Sequence, residues 1–186
     1  MSFLPKNYER KSSGGGFLKL EAGDNRVRVL SEPVIGMELW VGGNPVRKPF
    51  GVEFIKEELA NADINTFDGT KRKPTEFWGV VVWDYKSQSA TQYNFTQRGI
   101  IDGLLDLLED ADWGDVREYD INIKKVTGER TKYSVSPVPP KPLSDEIKKA
   151  YEESTIDLSK LFSSTDDLVK VDVEEANTGV DDSPEI

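Results

Sequence analysis

The residues best suited to chemistry lie in "TKRKPTEFWGVVVWDY", Thr70 to Tyr85, where Lys71, Arg72 and Lys73 stand directly ahead of a run carrying Phe77, Trp78, Trp83 and Tyr85. Cations neutralise phosphates and aromatic rings stack on unpaired bases, so this combination suits a single-stranded nucleic acid. A plain packing role competes with it, because aromatic and β-branched residues are also what a central strand buries. Strand alternation puts Phe77, Gly79, Val81, Trp83 and Tyr85 on one face and Trp78, Val80 and Val82 on the other. The regular β-branched pair marks Trp78, Val80 and Val82 as the core side, leaving Phe77, Trp83 and Tyr85 as the expected solvent-side platform. A single bulge would reverse the faces. Tyr93, in the next strand, either extends the platform or packs in the core, and Trp40 is expected to anchor a strand end.

Other chemistries find little support. The chain has no cysteine and no histidine, which removes disulfides, thiolate nucleophiles and the commonest general base and metal ligand. "EDADWGD" spaces Asp110, Asp112 and Asp115 loosely like part of a calcium loop, but the required glycine and distal glutamate are missing, so it reads as the C-terminal turn of a helix. There is no Gly-rich phosphate loop, GxSxG or CxxC. No enzyme, metal or cofactor is expected.

The net charge of -10 is unevenly spread. Up to residue 143 acids and bases are nearly balanced, 21 against 20, whereas residues 144–186 hold 13 acids and 4 bases. The body can therefore carry a basic face despite the acidic total. No apolar run approaches a membrane span, and "MSFLPKNYERKSSGGG" lacks the apolar centre of a signal peptide, so no membrane role and a cytoplasmic location are expected.

The elements that must position these residues follow from periodicity and punctuation. Residues 1–16 read as a flexible basic arm. From Phe17, "FLKL", a turn at "AGDN", and "NRVRVL" with Val27 and Val29 opposite Arg26 and Arg28 predict a half-buried strand, resumed as "VIGMELW" and ended by "GGNP". Residues 46–75 form a long insertion, in which "VRKPFGVEFI" could be a further strand broken by Pro49 and Gly51. "EFWGVVVWDY" and "TQYNFT" predict a hairpin, and Thr96 an N-cap for a helix burying Ile100, Leu104, Leu107 and Leu108. Gly99 and Gly103 inside that helix imply close packing on a neighbour. "REYDINIKKV", "TGER" and "TKYSVSPVP" predict a second hairpin, and Ser144 starts a short helix, with Glu146 near the N3 side of a capping box.

The expected fold is thus mainly β, a five-stranded barrel with a helix between strands three and four and a long insertion between strands one and two: the order of the oligonucleotide-binding, or OB, fold. The expected division is a barrel domain over 17–142, a helical extension over 143–162 and a disordered acidic tail over 163–186. In that frame Arg47, Lys48, Lys71, Arg72 and Lys73 lie in the loop between strands one and two. Lys124, Lys125, Arg130 and Lys132 lie around the loop between strands four and five. Those two loops flank the binding groove of an OB-fold.

"GDNRVRVLSEPVIGMELW", "EFWGVVVWDY", "DADWGDVREYDINIKK" and "YSVSPVPPKP" together resemble the single-stranded DNA-binding proteins of tailed bacteriophages, over roughly Phe17 to Pro142. The resemblance implies sequence-tolerant, non-catalytic binding of single-stranded DNA in phage replication, recombination or repair, in the cytoplasm of an infected bacterium. It also implies an acidic tail that recruits replication and recombination proteins. Here Asp181, Asp182, Glu185 and Ile186 close the chain, and isoleucine replaces the terminal aromatic of cellular bacterial homologues. A polyanionic tail can occupy the protein's own cationic groove until DNA displaces it. Arg10 to Ser13 could pair with a neighbour's tail and support self-association on DNA. The competing expectations are an acidic DNA mimic that inhibits a host nucleic-acid enzyme, and a replication adaptor.

Overall fold

The alternation of valines with arginines after Gly23 makes a strand, and the apolar runs that follow repeat the pattern. The computed structural model describes residues 18–162. Among them are seven strands, β1 Gly23–Val29, β2 Val34–Val41, β3 Asn44–Pro49, β4 Thr75–Asp84, β5 Ser89–Phe95, β6 Asp120–Val126 and β7 Lys132–Pro137. There are three α-helices, α1 Lys56–Ala60, α2 Arg98–Glu109 and α3 Asp145–Glu152, and a 3₁₀ turn at Leu158–Phe162. The arm over 1–16 and the tail over 163–186, including Asp181, Asp182, Glu185 and Ile186, lie outside the described residues. No helix among the described residues is long and apolar enough to cross a membrane.

The described chain forms two units, residues 18–34 with 78–158 and residues 35–77 with 159–162. In the first, antiparallel ladders run in the order β5-β4-β1-β6-β7. Registers such as Val29 with Val82 and Val27 with Ile121 bring apolar side chains together. These join Trp78, Val80, Phe95 and Ile123 in one buried cluster, against which α2 lays Ile100, Ile101, Leu104 and Leu107. Leu108, expected in that stripe, is 41% exposed.

The expected closed barrel is not what forms. Closure would need β5 to pair with β7, and the strand path is instead open. The reason lies at β7. A Cβ on Gly99 of α2 would sit 2.7 Å from the carbonyl oxygen of Tyr133, and one on Gly103 would sit 3.0 Å from Val135 Cβ, so the helix and not β5 lies alongside β7. The expectation that these glycines mark close packing is met.

Local boundaries also differ in places. Gly23, Asp24 and Asn25 belong to β1 instead of a turn. Asn25 is tied back by its side chain, which accepts from the Glu21 amide and donates to the Glu21 carbonyl, both at 2.9 Å. The residue capping α2 is Gln97, not Thr96, and it makes no side-chain cap. At α3 the Ser144 hydroxyl accepts from the Ile147 amide at 3.3 Å, as expected of an N-cap, but Ile147 occupies N3, so Glu146 is one residue short of a capping box.

In the second unit β2 and β3 form a hairpin, Leu39 opposite Val46, through Gly42 and Gly43 at φ 59 and 78. Both angles lie in the left-handed region that a tight hairpin turn demands and glycine supplies. Leu39, Val46, Ala62, Phe77 and Leu161 are its buried apolar residues, and Phe77 packs on Phe162 with ring centroids 5.9 Å apart.

Candidate nucleic-acid interface

The rings of β4 do not form the expected open platform. Phe77 is 0% exposed and Trp83 2%, and Tyr93 at 8% belongs to the buried cluster. Trp78, Val80 and Val82 are core, as the β-branched pair predicts. What the alternation could not reveal is that the other face of β4 is covered too. A strand apolar on both faces is the pattern of one buried on both. Burial pushes the Tyr93 phenol up to about 12, with Tyr133 adding to the rise and the Gln97 bond opposing it.

Tyr85 alone of the expected platform is half-buried, and it is committed. Its hydroxyl donates to Asp120 Oδ1 at 3.0 Å, and the Arg26 guanidinium lies 4.8 Å from its ring centroid. Asp120 also accepts from Arg28 Nε at 2.6 Å and from Arg26 Nε at 2.9 Å. Burial pushes the Asp120 carboxyl up, but the bonds from Arg26, Arg28 and Tyr85 together hold it below the usual carboxylate range. Burial first, then the bond to Asp120, raise the Tyr85 phenol. The sequence reading missed this cluster, because Arg28 looks like the solvated half of an alternating strand. Its only signal was a carboxylate, Asp120, at the start of the partner strand.

The predicted cations divide by environment. Arg47 and Lys48 lie within β3 and not in a loop, where Glu38 and Glu58 take them as ion pairs, each 2.7 Å long. Trp40, the expected strand-end anchor, is the penultimate residue of β2 and donates its indole N–H to Glu38 at 3.0 Å. Lys71 bonds the Ala60 carbonyl, Arg72 lies 5.7 Å from the centroid of the Trp40 ring, and Lys73 is exposed. In the first unit Lys124 and Lys125 belong to β6, Arg130 to the hairpin loop, and Lys132 opens β7. Lys125 turns to the Leu20 carbonyl, 3.1 Å away, whereas Lys124, Arg130 and Lys132 are exposed.

The β1-β6-β7 face away from the core is therefore polar and cationic. Register sets Arg26 beside Asn122, Lys124 beside Ser134, and Lys132 beside Val126. Asp24, opposite Lys124, is an exposed acid in that register. On the core side, a cavity of about 460 Å³ has an apolar floor including Trp78, Val80, Phe95 and Leu104. Its rim charges are mutually engaged, because Arg117 donates to both Asp115 oxygens at 3.0 Å, which lowers the Asp115 carboxyl and raises the Arg117 guanidinium.

Among the described residues no group of acidic side chains is placed to hold a metal ion. Asp110 caps the C-terminus of α2, in keeping with the helix-turn reading of "EDADWGD". No family model, curated protein or solved structure matches this chain.

Proposed function

We propose that this protein binds single-stranded DNA without sequence preference and without catalysis. The observation that carries the reading is the outer face of β1, β6 and β7, where exposed Lys124 and Lys132 stand with Asn122, Ser134 and Ser136, beside Arg26, which is shared with Asp120, and Asp24. A strip of cations among short polar groups can follow a phosphate backbone and reads no base edge. The ladder order β5-β4-β1-β6-β7 supports an OB-like origin, since it is that of an OB-fold lacking the pairing between its third and fifth strands. The balanced charge of residues 1–143 favours this over a DNA mimic, which would spread acid over its folded body.

In this reading the protein coats single strands during phage replication and recombination in the host cytoplasm. The acidic segment over 163–186 competes for the cationic face and recruits replication partners once DNA displaces it. The test is a titration of the full chain, and of a chain ending at Ser163, with oligo-dT at graded salt. Binding should weaken linearly in log salt, by a slope of about -0.7 for each phosphate neutralised. The shortened chain should bind more tightly, and Lys124→Glu with Lys132→Glu should weaken both. If neither chain binds oligo-dT at low salt, the reading is wrong.

A further inference from the structure

A surface helix normally turns its apolar stripe to the core. The helix α1 of the second unit does the reverse, burying none of its residues. Ile55, which caps it, is 58% exposed, and Leu59, one turn on, is 39% exposed. Residues four apart on a helix share a side, so these two make one apolar strip. Phe50 and Val52, just upstream, are exposed as well. Propensity does not hold so short a helix; its two ends do. Glu58, at N3, accepts the Ile55 amide and the Lys48 ammonium, each at 2.7 Å, and Lys48 also reaches the Glu53 carbonyl at 3.2 Å. At the other end Lys71 bonds the Ala60 carbonyl. The strip is thus fixed in place and left uncovered, although exposing it is unfavourable.

The charges beside the strip select what covers it. Lys56 and Glu58 follow Ile55 by one and three positions, which puts them on opposite edges of the Ile55-Leu59 side. Both bonds to Glu58 use Oε2, so Oε1 takes none, and the Lys56 ammonium has no partner among the described residues. A cation along one edge and an acid along the other form a self-complementary surface. With two copies of α1 side by side in the same direction about a two-fold axis, each Lys56 faces the Glu58 of the other copy. Ile55 and Leu59 then meet their own counterparts. A two-fold interface uses the same patch on both subunits in this way, whereas a partner of one charge sign would leave one edge unpaired.

We infer that α1 is the contact surface for a second copy of this chain. The surface is small, so the dimer is weak and transient. The inference does not rest on the function proposed above, and α1 shares no residue with the β1-β6-β7 face. Sedimentation of the full chain without DNA, over a range of protein concentrations, should show a reversible monomer-dimer equilibrium. Leu59→Glu should remain monomeric, and Lys56→Glu should weaken association about tenfold, because two exposed ion pairs are lost at once. The chain has no cysteine, so an introduced one reports alone. Leu59→Cys should form a disulfide-linked dimer under mild oxidant, faster than Ser87→Cys in the first unit. An unchanged thermal midpoint in each variant checks that the fold is intact. A parent that sediments as a monomer at every concentration, with Leu59→Cys cross-linking no faster than Ser87→Cys, overturns the inference. So does a dimer that survives Leu59→Glu and is lost on deleting residues 1–16, which would make the arm the contact. Neither measurement involves oligo-dT, so failure of the proposed function leaves this inference standing.

Discussion

Arg28 and Asp120 form a buried ion pair, each 2% exposed, with Nε and Oδ1 2.6 Å apart. The same guanidinium donates to the carbonyls of Lys141 at 2.8 Å and Arg117 at 3.3 Å. One side chain therefore ties β1 to β6, to the loop before it and to the segment beyond β7. Desolvating two charges costs several kcal/mol per ion, and only a full set of partners offsets it.

Removing one partner should expose that cost. Asp120→Ala is expected to destabilise the protein by about 3–5 kcal/mol, because it strands a buried guanidinium. Arg28→Lys keeps the charge but loses the planar fork, so its urea midpoint should fall as well. Equal midpoints for Arg28→Lys and the parent would mean that the fork geometry is immaterial.

The same carboxylate makes stability sensitive to acid. Its folded pKa lies below the ordinary value of 3.8, so its contribution is present above that pH and is lost as pH falls through the folded value. The stability gap between the parent and Asp120→Asn, read from urea melts, should therefore narrow as the pH drops below 3.8. A gap that stays constant down to the acid transition would contradict the assignment.

At the alkaline end the sign reverses. Tyr93 is raised from 10.0 to about 12, so its contribution is complete below pH 10 and disappears as the pH rises towards 12. Phenolate absorbance should show a late-titrating group of tyrosines, Tyr85 and Tyr119 among them, from which Tyr93→Phe removes one. Tyr93→Phe should also flatten the loss of stability above pH 10.

Gly99 sets helix propensity against space. Alanine gains about 1 kcal/mol in a helix, but its Cβ would meet the Tyr133 carbonyl oxygen at 2.7 Å. Overpacking of that kind costs about 1–3 kcal/mol, and a backbone oxygen has little room to yield, so Gly99→Ala should lower the melting temperature. Gly103→Ala meets Val135 at its Cβ, 3.0 Å away, and its Cγ2, 3.2 Å away, so its cost should shrink in a Val135→Gly background, which removes both atoms. Equal costs in both backgrounds would place the strain elsewhere.

Trp83 separates packing from binding. Because it is 2% exposed, Trp83→Phe should lower the urea midpoint and leave oligo-dT affinity unchanged. Lost affinity at an unchanged midpoint would restore the stacking role that its burial argues against.

The mainly β architecture, the β4-β5 and β6-β7 hairpins, the core face of β4 and the Ser144 cap were all legible in the sequence. Each is encoded within a few residues, by alternation, turn chemistry or a hydroxyl at the right offset. Gly99 and Gly103 likewise signalled a close neighbour without saying which strand it was. The fate of each polar and aromatic side chain needed longer-range information. Phe77 and Trp83 looked open because alternation tells two faces apart but not what covers the second. Arg28 looked solvated because its partner lies 92 positions away.

What the sequence determined alone was local: which segments extend, where they turn, and which side of a strand is greasier. Tertiary structure decided that α2 lies along β7 and leaves the strand path open, and that Asp120 gathers two arginines and a tyrosine. These outcomes depend on pairing registers between distant segments, and no short window of residues carries that information.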